Sequence, residues 1–179
     1  MARVEKHARK KRSNNNSIEN ITKWKQSIID KIINDDELSK LLIYNTPNAL
    51  AMPVPTDDQR YSLVNNSVVG YRYIPTIAED AKSWVSMSIS KFAPQEGFRQ
   101  FSDDYLMGYI FIYILVDTSI METETGYRQD LIAGRIHDLF QESRGFGIGE
   151  LRLESYIENW EHNNKLGGFI MGYKVVEFK

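Results

Sequence analysis

The sequence predicts one α+β domain, a mostly antiparallel sheet of about five strands with an N-terminal helix and one main helix packed on it. Three observations point there. Apolar residues recur at helical spacing over 17–33 and again over 127–142. Apolar and polar residues alternate over 84–92 and 151–158, which is the period of a half-buried strand. Residues 105–116 are apolar on both faces, as suits a central strand covered on both sides. The 179 residues suffice for one domain that buries about two-thirds of its unfolded surface and needs no covalent staple.

Asn14, Asn15 and Asn16 form a polar break, and Ser17 is a good N-cap. Ile18, Ile21, Trp24 or Lys25, Ile28, Ile29, Ile32 and Ile33 then draw one apolar stripe along a helix of about 17 residues. Asn34, Asp35 and Asp36 break it. Asp36 is placed to cap a short second helix in which Leu38, Leu41 and Leu42 share a face. Pro47 closes that segment, because it has no amide with which to continue. Residues 49–66 hold Pro53, Pro55 and Thr56-Asp57-Asp58 and read as a loop.

Residues 68–74 are β-branched and aromatic and read as a strand ended by Pro75. In the next strand Val85, Met87 and Ile89 face one way and Ser86, Ser88 and Ser90 the other, and residues 94–97 mark a turn. The central strand sets Tyr109, Phe111, Tyr113 and Leu115 against Ile110, Ile112, Ile114 and Val116. A polar loop over 117–126 leads into the main helix, striped by Leu131, Ile132, Arg135 or Ile136, Leu139 and Phe140. Gly145, Gly147 and Gly149 stop that helix. Leu151, Leu153, Ser155 and Ile157 form the inward side of a strand whose polar side is Arg152, Glu154, Tyr156 and Glu158. Asn163-Asn164 and Gly167-Gly168 are expected to turn the chain into a last strand over 169–178.

The net charge of −2 hides a division. Within residues 1–12, Arg3, Lys6, Arg9, Lys10, Lys11 and Arg12 stand against Glu5 alone, a net of +5, and the other 167 residues carry −7. The chain thus reads as a basic arm over 1–16 and an acidic domain over 17–179. Such an arm is either a solvated tail or a clamp on a polyanion or an acidic partner. A polar, charged arm cannot order itself by burying apolar surface of its own, so an ordered arm is expected to be held by another chain. It lacks the apolar stretch of a secretory signal, and residues 13–17 run into the folded pattern without an evident cleavage site. The longest apolar run, residues 109–116, is far short of the roughly 20 residues a membrane helix requires.

No catalytic constellation emerges. Without cysteine there is no disulfide, thiolate metal site or thiol nucleophile, and the absence fits assembly in a reducing cytoplasm. His7, His137 and His162 lack ligand spacing. The glycines at 145, 147 and 149 follow a helix and open a strand, the reverse of a phosphate cradle. No Gly-x-Ser-x-Gly is present, so Ser86, Ser88 and Ser90 read as strand surface. The pairs Asp35/Asp36, Asp57/Asp58 and Asp103/Asp104 stand where turns and caps are expected. Tyr71, Arg72 and Tyr73 are too few to make a nucleic-acid platform on an acidic body. No metal, cofactor or catalytic residue is assigned.

The order of elements in the second half carries a resemblance. An apolar strand (residues 108–116, GYIFIYILV) precedes a polar loop, a helix (residues 127–140, YRQDLIAGRIHDLF), a strand over 151–156 and a late aromatic and β-branched strand (residues 168–178, GFIMGYKVVEF). This resembles the tail terminator and tail-to-head joining proteins of tailed bacteriophages. The first half, with its opening helix, short Leu-rich helix (residues 38–44, LSKLLIY) and Pro-containing loop, resembles phage neck proteins. The resemblance spans residues 17–178 and rests on topology, with the arm outside it. It implies a structural virion protein of the neck, not an enzyme, assembled in the bacterial host cytoplasm. Such a protein forms a ring, usually of six copies, that caps the tail tube and joins the tail to the head connector, with genomic DNA passing through the lumen. The implied partners are further copies of the chain, connector or adaptor rings, tube and sheath proteins, and DNA in transit, without a membrane. An acidic body suits a channel through which DNA slides, and the arm residues Arg3, Lys6, Arg9, Lys10, Lys11 and Arg12 suit a clasp on an acidic neighbour. Two alternatives stand beside the terminator: a connector-side adaptor, and a nucleic-acid-binding module that uses the arm.

Overall fold

Ser17 begins the first helix where the polar break predicts it. The computed structural model describes residues 17–76, 80–94 and 105–178. Helix α1 (Ser17–Asn34) buries Trp24, Ile28, Ile29, Ile32 and Ile33, one continuous stripe. Helix α2 (Asp36–Ile43) follows after one residue. Its cap is Asp35 rather than the expected Asp36, with the Asp35 carboxylate accepting from Leu38 N at 3.0 Å.

Residues 49–66, expected to be loop, contain a 3₁₀ turn (Ala49–Ala51) and helix α3 (Asp57–Tyr61). The prolines argue for a loop, but Thr56 and Gln59 close a reciprocal capping box. Gln59 N donates to Thr56 Oγ1 at 3.4 Å and Thr56 N donates to Gln59 Oε1 at 2.9 Å. The strand expected over 68–74 shrinks to β1 (Val68–Val69), paired in parallel with Val85 and Ser86. Beyond Gly70 the chain leaves the ladder, and Tyr73 meets the Ser86 hydroxyl instead of its backbone.

Strands β2 (Ser83–Pro94) and β3 (Tyr105–Asp117) run antiparallel. The loop expected over 117–126 holds a 3₁₀ turn (Thr118–Ile120) and a small hairpin of β4 (Glu122–Thr123) and β5 (Gly126–Tyr127). Helix α4 (Arg128–Phe140) and strands β6 (Arg152–Glu161) and β7 (Leu166–Phe178) complete the domain. The five long-sheet strands lie in the order β1-β2-β3-β7-β6, antiparallel except for β1. β3 is the central strand, as its composition predicts.

The helices lie on one face of that sheet. Val85, Met87, Ile110, Ile112, Ile114, Met171 and Tyr173 meet α1, α2 and α4 in one apolar core. The other face, which carries Tyr109, Phe111 and Tyr113, is covered by no helix among the described residues and stays half-exposed. The expectation that β3 is covered on both sides is corrected accordingly.

Gly167 and Gly168, expected in a turn, lie inside β7, and residues 162–165 make the turn instead. A side chain at Gly168 would stand 2.1 Å from Ile114 O, so only glycine lets β7 approach β3 there. The loop after α4 is fastened rather than free: Phe146 is buried against Phe140, and Ile148 N donates to Val176 O at 2.6 Å.

Candidate interaction surface

The register of β6 builds an exposed apolar surface along one edge of the sheet. Leu153 pairs with Tyr173 but Ser155 pairs with Gly172, so Glu154 is the extra residue of a β-bulge. The bulge reverses the alternation that follows. Ile157, expected inside, sits opposite Ile170 on the helix-free face and is 55% exposed, while Tyr156 turns to the helix side opposite Met171. Tyr156 stacks on Phe169 at 4.5 Å, and Trp160 lies over Gly167 with its indole N–H donating to Glu158 Oε1 at 2.8 Å. Tyr156, Ile157 and Trp160 remain 43–55% exposed. They flank an outer edge that no described strand pairs with.

Beside that edge α4 and the sheet enclose an open groove of about 340 Å³. Asp130, Gly134 and His137 line it from the helix, and Leu153, Tyr156 and Met171 from the strands. The Tyr156 phenol is raised, first by burial and then by the negative charges of Asp130 and Glu158. The groove thus carries one phenol, Tyr156, and one carboxylate, Asp130, among mostly apolar neighbours.

The helix-free face carries a column of rings. Tyr109 stacks on Phe111 at 5.7 Å, and Phe111 leans on Tyr113 at 6.5 Å. Arg72 lies 5.4 Å above the Tyr113 ring, and the Ser88 and Tyr113 hydroxyls meet at 3.1 Å. At the bulge, Glu154 accepts from the Tyr109 hydroxyl at 2.9 Å and pairs with Lys174 at 3.1 Å. That hydrogen bond to Glu154, with some burial, raises the Tyr109 phenol. Burial pulls the Glu154 carboxyl up, but the hydrogen bonds from Lys174 and Tyr109 outweigh it and hold the group below its ordinary value.

Three arginines that the sequence does not single out as sites hold the helix layer. Arg128 is fully buried, and its guanidinium donates to four main-chain carbonyls: Leu41 O, Tyr44 O, Thr46 O and Ile120 O, at 2.8–2.9 Å. Burial lowers its pKa. Arg60 reaches Ile33 O at the end of α1, Pro55 O and Asp36. Arg135 grips Asp35 bidentately at 2.7–3.1 Å, so the α2 cap is tied to α4. No short-range pattern signals these contacts, since each closes only through the tertiary fold.

The arm residues Arg3, Lys6, Arg9, Lys10, Lys11 and Arg12 lie outside the described residues, as do His7 and Asp103/Asp104. Asp35 and Asp57/Asp58 stand at helix N-termini, as their spacing predicts. His137 is half-buried in the groove wall, and His162 meets Pro75 O at 2.6 Å. Among the described residues no three His, Cys, Asp or Glu side chains are grouped to hold a metal ion, and no helix is long and apolar enough to cross a membrane. The model of the YomW family matches residues 35–175, from the α2 cap through most of β7. No curated protein and no solved structure matches the chain.

Proposed function

The chain belongs to the YomW family, a phage-like family, and we propose that it is a structural virion protein that works as a tail terminator: a ring, most simply of six copies, that caps the tail tube and joins it to the head connector. The observation that carries this reading is the outer edge of β6. An edge strand of 10 residues with Tyr156, Ile157 and Trp160 exposed is a template for another chain. A protein that acts alone gains nothing from such an edge, whereas a ring subunit needs one unpaired side for its neighbour.

Other features agree. The domain outside the arm carries −7, which suits a lumen that lets DNA pass without holding it. The buried arginine clamps make the helix layer a rigid backing for the sheet, as a mechanical subunit requires. In this reading the chain works in the virion neck, after assembly in the host cytoplasm.

Electron microscopy of the purified full-length chain, alone and mixed with tail tubes, tests the reading. Closed rings that seat on one end of the tube and stop its growth are the expected result. A chain that stays monomeric both alone and with tubes overturns it. Rings that ignore tubes and bind only the connector side replace the terminator with an adaptor.

A further inference from the structure

We propose that the outer edge of β6 is the seat of the basic arm, residues 1–12, of a second copy of this chain. The inference rests on the ring reading above and names the contact that would close the ring.

Proteins that keep an edge strand unpaired blunt it with charged side chains, lysine above all, with proline or with a bulge. β6 spends its bulge at Glu154, near its start. Residues 155–161 beyond it contain no Lys, Arg or Pro. At roughly 3.4 Å per residue they offer a straight edge of about 24 Å, with apolar side chains on both faces. Such an edge calls for a strand that straddles it, and the chemistry of that strand can be read from the charges beside it. Glu158 accepts from the Trp160 indole and Glu161 from the Asn159 amide, while Asp130 lines the adjoining groove. Among the described residues none of these three carboxylates has a cation within ion-pair distance.

The arm supplies what is missing. It has six cations against Glu5 and contains neither proline nor glycine, so its composition does not bar a donor strand. Arginine and lysine over the exposed Tyr156 and Trp160 rings add cation–π attraction to the ion pairs.

The strand order suits an arm donated by a neighbouring copy. The arm leads into α1, and α1 packs against β1, at the margin of the sheet opposite β6. Five strands spaced about 4.8 Å apart put those margins roughly 19 Å from each other. When copies stand side by side, the α1 margin of one faces the β6 margin of the next. The contact is head-to-tail, the kind that closes into a ring when its rotation allows.

The absence of cysteine makes the test clean. Two full-length variants, Ala8→Cys and Ile157→Cys, are mixed and oxidised, and the digest is read by mass spectrometry. The expected product is a dimer joined between positions 8 and 157. Adding Glu158→Lys to the acceptor should lower its yield about fivefold, and Arg9→Glu in the donor should restore it. Recovery by the paired reversal is a result that misfolding cannot produce. The absence of an 8–157 link between copies overturns the proposal, and so does a link that, in a third variant carrying both cysteines, forms only within single chains. Microscopy of the same samples separates the two readings: rings without the link overturn the arm's seat and leave the ring, while the link without rings does the reverse.

Discussion

Arg128 shows how one residue can hold a layer together. Its acceptors Leu41 O, Tyr44 O and Thr46 O lie 82–87 residues upstream, so no local pattern marks it. Leu41 and Tyr44 are at the C-terminal end of α2, whose carbonyls have no helical partner and carry the negative end of the helix dipole. A buried guanidinium is tolerable because its planar fork meets all four carbonyls at once. Replacing Arg128 with Met strands those acceptors out of water. We expect Arg128→Met to cost about 3–5 kcal/mol in urea unfolding. Lysine keeps the charge but lacks the planar fork that spans these carbonyls, so Arg128→Lys should recover less than half of that loss. Full recovery by lysine would show that charge alone, and not the four-way geometry, is what matters.

At the scale of elements, what was legible depended on whether the deciding contact was local. The apolar stripes of α1 and α4 and the two-sided apolarity of β3 lie within their own segments, and each element formed where its pattern predicts. Helix α3 also had a local signal, the Thr56 and Gln59 spacing, which the neighbouring prolines masked. The faces of β6 could not be read, because a bulge is fixed by the partner strand: Ile157 faces out only because Glu154 is left over against β7. The exposed edge is thus tertiary information, and with it the candidate surface. Glycines 168 and 172 of β7 carry a prediction on the same point. A methyl group on Gly168 would meet the Ile114 carbonyl at 2.1 Å, and the β3 backbone cannot yield without breaking its ladder. On Gly172 it would first meet the Ser155 hydroxyl at 2.2 Å, the movable end of a side chain. Gly168→Ala should therefore destabilise by about 3 kcal/mol and Gly172→Ala by about 1 kcal/mol. Equal losses in thermal unfolding would mean that β7 is free to shift along β3.

For the whole molecule, the proposed assembly would rest on different forces from the fold, and salt should separate them. The core is apolar, and its buried arginine Arg128 bonds to carbonyl dipoles rather than to exposed charges, so screening hardly touches it. In the proposed contact, attraction between the +5 arm and the −7 remainder of a neighbouring copy would act through water across an open edge. The screening length there falls from about 10 Å at 0.1 M salt to about 3 Å at 1 M. Raising salt across that range should reduce the assembled fraction several-fold in sedimentation velocity, while the melting temperature moves by no more than about 2 °C. In that proposed contact Tyr156, Ile157 and Trp160 would supply the part that salt does not weaken, so the fall should level off above zero. A fraction unchanged by salt would leave the contact to those three side chains alone and free the arm for another partner. A fall in melting temperature alongside the assembled fraction would show instead that the fold itself depends on its neighbours.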